Sequence, residues 1–294
     1  MKDDDFGAFH SLAEDSSDHR WAFGTGFTDA LEGVDTTVPE GVDPEALAAY
    51  CLMLGDDVLI CSHRLQQWMT RAPELEEETA LGNIALDLLG QARMLLARAG
   101  RADGTGRDED RLAFFRDEAE FRNARLVERL DADFGELVAR LLVFSSYRLA
   151  LLDRLRTSAD PVLAAIAEKG VKELTYHRDY AARWVVRLGD GTAESHRRVQ
   201  AGLDVVWPLV DELFTTHAVE LALPGVAVES GELRAEVDVV LDTVLATAGL
   251  QRPAVGPLAS VGGRTGRDGL HTEAFGYLLA ELQSVARAHP DAQW

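Results

Sequence analysis

The chain has 294 residues, 47% of them hydrophobic and 27% charged, so it is long enough to bury a core and too apolar to be disordered. This length suits one large domain or two modest ones. The 29 basic and 50 acidic residues give a formal charge of −21, which disfavours binding to nucleic acids and to anionic membranes. An acidic start and the absence of an apolar run of about 18 residues predict a cytoplasmic protein without a signal peptide or a membrane span.

Residues 1–42 are rich in glycine, aspartate and serine and show no sustained hydrophobic period. They predict an acidic, flexible N-terminal extension. Scattered aromatic side chains leave open a second interpretation, in which this segment is an arm that docks on another surface.

From Asp43 onward the sequence predicts α-helices. Asp43 and Pro44 are typical of an N-cap followed by the first helical position, and apolar residues then recur every three or four positions as far as Trp68. Similar signals predict helices over residues 74–98, 109–130, 133–156, 160–188, 192 onward with a kink at Trp207 and Pro208, 230–248 and 272–288. No segment alternates as a strand does. We therefore predict one all-α domain over residues 43–294, a long-helix bundle with additional C-terminal helices.

The two cysteines, Cys51 and Cys61, belong to the first predicted helix. Their separation of ten residues corresponds to about 15 Å along a helix, which is beyond disulfide reach. We expect both to be reduced residues of the core, as suits a cytoplasmic protein.

A glycine-rich loop at residues 256–269 superficially resembles a phosphate-binding loop. It lacks the Gly-Lys-Ser/Thr ending of such loops and follows no predicted strand, so a plain surface loop is the favoured interpretation. Its arginines Arg264 and Arg267 are expected to pair with acids of the surface.

A bundle of long helices can hold a carboxylate-bridged pair of iron ions. Such a site takes a Glu from each of two helices and a Glu-x-x-His pair from each of two others, because residues i and i+3 point from one helix face towards a shared ion. None of the eight histidines has a glutamate three residues before it. The sequence therefore predicts that this chain lacks a standard di-iron centre.

Several segments resemble a known family. They begin at Leu54 (LGDDVLI), Asn83 (NIALDLLGQAR), Lys172 (KELTYH) and Gly269 (GLHTEAFGYLLAE). From about residue 45 to the C-terminus they resemble the non-catalytic, ferritin-like subunit of bacterial phenylacetyl-CoA epoxidase. The resemblance implies a ferritin-like fold and a structural role in phenylacetate catabolism, in which the chain pairs with a related di-iron catalytic subunit. It also implies that the iron lies on that partner, that this chain holds no cofactor, and that a reductase is a further candidate partner.

The related catalytic subunit has Glu-x-x-His on two helices. Motif comparison places these four positions at Leu88, Gln91, Leu174 and His177 here. Three of the four ligands are therefore replaced, and a leucine side chain cannot bind iron. The resemblance thus implies a degenerate metal position in a scaffold subunit that has no catalytic residues.

Polar residues near these positions lie in otherwise apolar helices. If they face the core they must be paired, since an unpaired buried carboxylate costs several kcal/mol. We hypothesise that an interior polar network has replaced the metal, with arginines such as Arg64 or Arg93 filling its space. The members of this network are expected to be Asp56, Asp57, Asp87, Gln91, Glu173 and His177.

A dense run of charges at residues 116–125 lies among phenylalanines on the third predicted helix. Such a run is usually a solvated helix face. The functional alternative is a partner-binding surface, since arginines and aromatic residues are enriched at interfaces. Its candidate residues are Phe114, Phe115, Arg116, Phe121, Arg122 and Arg125.

Two other functions remain open at this point. One is a divergent di-iron oxygenase that is active alone and uses an unconventional ligand set: Asp57, Asp87, Glu118, Glu173 and His177. The other is a free-standing helical binding module with an apolar pocket between its helices. Iron in the isolated chain would favour the first, and a stable monomer with an occupied cavity would favour the second.

Overall fold

A computed structural model describes residues 31–292 of the chain. Its α-helices are α1 (Pro44–Met69), α2 (Leu75–Ala102), α3 (Glu109–Phe114), α4 (Phe134–Leu155), α5 (Pro161–Gly189), α6 (Ala193–Val206), α7 (Val210–Leu213), α8 (Ala218–Leu221), α9 (Arg234–Thr247) and α10 (Glu273–Ala288). Short 3₁₀ turns lie at Glu118–Glu120, Arg125–Glu128, Trp207–Leu209, Ser230–Leu233 and Gly266–Asp268. The described residues contain no β-strand, so the all-α prediction is confirmed.

The long helices begin where the sequence places N-cap residues. The Asp43 carboxylate accepts a hydrogen bond from the backbone N–H of Glu45 at 3.0 Å, and Pro44 is the first residue of α1. Asp133 caps α4 and Asp160 caps α5 through bonds of the same kind. Each carboxylate satisfies a backbone donor that the first helical turn leaves without a partner. The starts of these helices are therefore set locally by the sequence.

Four long helices form the ferritin-like bundle. α1 packs along α2, α4 packs along α5, and contacts between α2 and α5 join the two pairs. Only residues 70–74 connect α1 to α2, and only residues 156–160 connect α4 to α5, so each pair is antiparallel. Aliphatic side chains from all four helices fill one continuous core. α6 and α9 pack on α4 and α5, so the C-terminal helices extend the bundle beyond this pair.

The segment 109–130 is not the single helix that the sequence predicts. α3 ends at Phe114, and the chain continues through two 3₁₀ turns to Arg129. The backbone N–H groups of Arg122 and Ala124 donate to buried carboxylates of α1 instead of to helical carbonyls. Tertiary pairing thus overrides helix propensity here, and the segment lies across α1.

Residues 31–42, the last part of the predicted extension, pack on the bundle. Apolar side chains of this stretch are partly buried against the core. Arg98 of α2 donates hydrogen bonds to the carbonyls of Thr36 and Thr37. This stretch is therefore part of the folded domain, and the rest of the predicted extension, residues 1–30, lies outside the described residues.

Among residues 31–292, α1 alone is long and apolar enough to span a membrane by composition. Most of its length is buried inside the bundle, which is the pattern of a core helix. Cys51 and Cys61 both lie on this helix, buried and without a disulfide, so the prediction of free core cysteines is confirmed.

Candidate functional site

The four positions that match the catalytic ligands lie at the centre of the bundle. Leu88 and Gln91 are on α2, Leu174 and His177 are on α5, and all four side chains are fully buried. The structure therefore brings together the residues that the motif comparison selects. Their side chains offer one amide and one imidazole, whereas the two leucines offer no metal ligand.

Gln91 is bound by a residue of α5. Its side-chain Nε2 donates a 2.9 Å hydrogen bond to Oε2 of Glu173. The carboxylate of Glu173 also lies 3.5 Å from Nζ of Lys169, one helical turn earlier, and its side chain is 14% exposed. At this position, where the resemblance implies a metal ligand in the catalytic subunit, Gln91 instead donates a hydrogen bond that links α2 to α5.

His177 is bound by a residue of α2. Its Nε2 lies 3.0 Å from Oδ2 of Asp87, and the ring is fully buried whereas the carboxylate is 39% exposed. The other ring nitrogen, Nδ1, has no partner among the described residues. This pair joins α2 to α5 one turn away from Gln91 and reaches solvent at its acidic end.

Arg148 of α4 places a positive charge at the centre. Its guanidinium is fully buried; Nη1 donates to the carbonyl of Leu54 at 3.2 Å, and Nη2 lies 3.5 Å from Oε1 of Gln91. No carboxylate within residues 31–292 pairs directly with it. Burial lowers the pKa of this guanidinium, and the negative charge of Asp57 partly opposes the shift. Because arginine starts from a pKa above about 12, the bundle centre holds a fixed cation.

These residues do not fit a pair of iron ions. Iron in such a bundle is held by carboxylate oxygens and imidazole nitrogens from four helices. The centre offers Glu173, Asp87 and His177 from only two helices, and each is already in a hydrogen bond. Arg148 adds a charge that repels a metal cation. The donor set therefore contradicts a di-iron centre of the usual kind.

The unconventional ligand set is not assembled either. Asp57 is engaged by Arg267, and Glu118 is exposed in the connection between α3 and α4. Within residues 31–292, three potential ligands come close together only at the start of α2, and none belongs to that set. They are Glu74, Glu76 and Glu77.

Asp57 belongs to a second polar cluster, which shares no hydrogen bond with Gln91 or His177. Its carboxylate pairs with the Arg267 guanidinium through two hydrogen bonds of 2.8 Å. It also accepts a 2.8 Å hydrogen bond from the backbone N–H of Ala124. Asp57 therefore holds both the 3₁₀ turn at residues 266–268 and the segment after α3 against α1.

Asp56 does the same for the preceding stretch of chain. Its carboxylate pairs with both terminal nitrogens of Arg116 and accepts a 2.8 Å hydrogen bond from the backbone N–H of Arg122. Both carboxylates and both arginine partners are buried. We call this cluster the junction. Its residues are Asp56, Asp57, Arg116 and Arg267. The single network expected from the sequence is therefore two clusters.

The six residues considered as a partner-binding surface are divided by the structure. Arg116, Phe121 and Arg125 are buried within the chain, where Arg116 pairs with Asp56 and Arg125 pairs with Glu212 at 2.8 Å. These three side chains stabilise the fold and do not face a partner, because the segment is folded against α1 rather than helical. The remaining three, which are partly exposed, are Phe114, Phe115 and Arg122.

The arginines expected at the centre lie elsewhere. Arg64 donates to the carbonyls of Glu128 and Ala274 near the end of α1. Arg93 pairs with Glu109 at the surface. Neither arginine forms a hydrogen bond or ion pair with a residue of the degenerate metal position.

The arginines that are buried in the interior are harder to find from the sequence. Arg148 is the single charge in the run LLVFSSYRLALL of α4. An arginine that interrupts a core helix in this way must be buried with partners or lie at an interface, so this signal could have located it. Arg267 was expected at the surface because it lies in a glycine-rich loop, yet it is buried against Asp57.

The family of the chain follows from its similarity to known proteins. The sequence profile of the phenylacetic acid catabolic protein family matches residues 33–294. The chain belongs to this family. It is also 42% identical over 253 residues to one of the subunits of 1,2-phenylacetyl-CoA epoxidase from Escherichia coli (strain K12); the match covers 84% of this chain and 99% of that protein. The resemblance seen in the motifs is confirmed. The family match begins within the stretch that packs on the bundle ahead of α1.

Proposed function

We propose that this chain is a non-catalytic structural subunit of a multicomponent monooxygenase that epoxidises the ring of phenylacetyl-CoA in aerobic phenylacetate catabolism. In this role it works in the cytoplasm and pairs with a ferritin-like catalytic subunit that carries the di-iron centre. A reductase is a second partner of the assembly. The relative at 42% identity is named as a subunit of such an epoxidase, which supports both the pathway and the need for partner chains.

The observation that carries this proposal is the composition of the bundle centre. Leu88 and Leu174 occupy two of the four motif-matched ligand positions, and Arg148 adds a buried cation beside a third, Gln91. A chain with the bundle of a di-iron protein and without its ligands can offer a scaffold and a surface. Oxygen activation then belongs to the partner subunit.

Iron content tests the absence of a metal centre. The chain is expressed alone with ample iron, and iron per chain is measured by mass spectrometry. We expect a value near zero, with the catalytic subunit prepared in the same way as the positive control. A value near two irons per chain, with oxygen-dependent turnover in the absence of a partner, would favour the divergent oxygenase instead.

Co-expression tests the structural role. We expect the chain to co-elute with the catalytic subunit and to increase its activity or stability. The charge of −21 favours association with a more basic surface, so the association should weaken as salt rises towards about 1 M. A folded, iron-loaded catalytic subunit that never associates with this chain would contradict the proposed function.

A further inference from the structure

A pocket of about 310 Å³ lies between the first turn of α2 and the second half of α5. Glu77 lines it from α2, and Tyr180, Arg183, Trp184 and Arg187 line it from α5. We call it the α2–α5 pocket. None of these five residues belongs to the bundle centre or to the junction, so their polar groups have no role in the clusters described above.

Two buried oxygen atoms of this pocket have no partner. The Oε2 atom of Glu77 and the hydroxyl of Tyr180 form no hydrogen bond among the described residues. Burial and then the negative charge of Glu77 raise the pKa of Tyr180, whereas the nearby indole of Trp184 opposes the shift. The two oxygens are therefore within electrostatic reach of each other. Because a buried polar group without a partner costs free energy, a donor from outside the chain would bind favourably to both.

The carboxylates beside Glu77 strengthen its attraction for a positive charge. Oxygen atoms of Glu74, Glu76 and Glu77 lie within 4.8 Å of one another. Glu74 and Glu76 are exposed, so the buried oxygen of Glu77 is the one that a molecule in the pocket reaches. The donor that satisfies it is therefore expected to be a cation, such as an ammonium group.

Two arginines of the same pocket have no acidic partner. Among the described residues, neither Arg183 nor Arg187 forms an ion pair, and Asp179, which also lines the pocket, pairs with Arg178. The guanidinium carbon of Arg187 lies 4.7 Å from the ring centroid of Trp184. On a chain with 50 acidic and 29 basic residues, two neighbouring arginines without an acid are unusual. Guanidinium groups placed in this way are typical of a site for a carboxylate or a phosphate.

The pocket thus has an acidic part and a basic part, and both are open to a ligand. Glu77 repels a simple anion, and the two guanidiniums repel a metal cation, so a molecule with both charges fits best. Along α5, Tyr180 and Arg183 are about 5 Å apart, a distance that an arginine side chain can span. The rings of Trp184 and of the 52% exposed Tyr176 offer faces for an ammonium or an aromatic group. The volume is at the lower end for ligand sites, so the ligand is small.

We propose that the α2–α5 pocket binds a small zwitterion of the class of the free aromatic amino acids. Its carboxylate lies at Arg183 and Arg187, and its ammonium group lies at Glu77 and Tyr180. The bound molecule joins α2 to α5, which belong to different pairs of the bundle, and so it stabilises the folded chain. This inference is independent of the proposed function, because it uses none of the residues on which the structural role rests.

Three probes of similar shape test which charges the pocket needs. Phenylalanine carries both charges, 3-phenylpropionate carries only the carboxylate, and 2-phenylethylamine carries only the ammonium group. In isothermal titration calorimetry with the full chain, phenylalanine should bind at one site and at least about tenfold more tightly than either of the others. It should also raise the melting temperature. If neither phenylalanine, tyrosine nor tryptophan binds saturably below about 10 mM, the inference is overturned.

Two variants assign the charges to residues. Glu77→Gln keeps the shape of the side chain and should weaken phenylalanine binding at least about tenfold, while 3-phenylpropionate binds no more weakly than before. Arg183→Gln combined with Arg187→Gln should also weaken phenylalanine binding, but should not weaken the binding of 2-phenylethylamine. Since none of the three residues forms an ion pair among the described residues, both variants should keep the melting temperature of the free chain.

The matched control is Arg197→Gln on α6. Arg197 is an exposed arginine that pairs with Glu194 and does not line the pocket, so the binding of all three probes should be unchanged. If both pocket variants bind phenylalanine as tightly as the original chain does, the amino acid binds elsewhere and the assignment of the α2–α5 pocket is wrong.

Discussion

The junction and the bundle centre are both polar clusters inside an apolar core, yet they are built differently. At the junction, each carboxylate is matched by a guanidinium and by a backbone N–H group. At the centre, Nδ1 of His177 and Nε of Arg148 have no partner among the described residues, and the acid beside His177 reaches solvent. The junction residues hold separate chain segments together, so the fold depends on them. The residues of the bundle centre only fill a space, and folding depends less on which side chains they are.

The largest effect is expected at the junction. Asp57→Ala leaves Arg267 buried without its counter-charge, so the free energy of unfolding should fall by about 3–5 kcal/mol in urea titrations. Asp57→Asn keeps the shape and should cost less. The control is Arg156→Ala, which removes an exposed pair with Glu168 and should cost no more than about 1 kcal/mol. Equal losses of unfolding free energy for Asp57→Ala and Arg156→Ala would mean that the buried pair of the junction stabilises the fold no more than an exposed pair does.

A second comparison uses one substitution at two glycines. In Gly170→Ala the new Cβ would lie 2.5 Å from Cδ1 of Leu152, so we expect a loss of about 1–3 kcal/mol at the bundle centre. Gly90→Ala meets open space and should stabilise the chain by about 0.5–1 kcal/mol. Thermal unfolding followed by circular dichroism measures both. A destabilised Gly90→Ala would mean that α2 needs this glycine for its own fold.

A smaller effect is expected for the hydrogen bond at the centre. Gln91→Leu removes the donor to Glu173, but that carboxylate is partly exposed and lies near Lys169, so it remains solvated. It also removes the oxygen 3.5 Å from Nη2 of the buried Arg148, which keeps its hydrogen bond to the carbonyl of Leu54. The loss in unfolding free energy should be about 1–2 kcal/mol. A loss as large as that of Asp57→Ala would show that the stability of the fold depends on the bundle centre as much as on the junction.

The smallest effect is a pH dependence beside the junction. Burial, followed by the positive charge of Arg267, lowers the pKa of His217. Its pKa in the folded chain is then below the ordinary value of about 6.5, so the unfolded chain binds more protons in this range. Its contribution to stability is present above pH 6.5 and is lost as pH falls below that value. Urea midpoints at a series of pH values measure this, and His217→Asn should flatten the profile between the two pKa values; an unchanged slope would contradict the assignment.

Helix positions could be predicted from the sequence because their causes are local. Asp43, Asp133 and Asp160 each cap a helix through a bond within three residues. That Leu88 and Leu174 stand at ligand positions is implied by the resemblance and stays a prediction, whereas a leucine offers no metal ligand whatever surrounds it. The helix expected at 109–130 fails because its backbone donors pair with α1, more than 60 positions earlier in the chain.

The partners of the buried acids could not be predicted for a related reason. Asp56 and Asp57 are adjacent in the sequence to each other and distant from both of their arginines. Which arginine meets which acid depends on how the 3₁₀ segment and the 266–268 turn lie on α1. No local pattern contains that information, and so the two clusters were expected to be one.

The buried guanidinium of Arg148 has a consequence for the history of such a chain. A single mutation that introduced a glutamate at position 88 or 174 would place the new carboxylate in an interior that already holds the Arg148 cation. An arginine does not lose its proton in a protein, so it competes with an incoming metal ion for that carboxylate at every physiological pH. A metal site would require several new ligands together with the loss of Arg148. A new carboxylate alone, or the loss of Arg148 alone, leaves either an unpaired buried charge or an incomplete ligand set. A buried Arg148 therefore opposes metal binding at the bundle centre even where one new ligand is introduced.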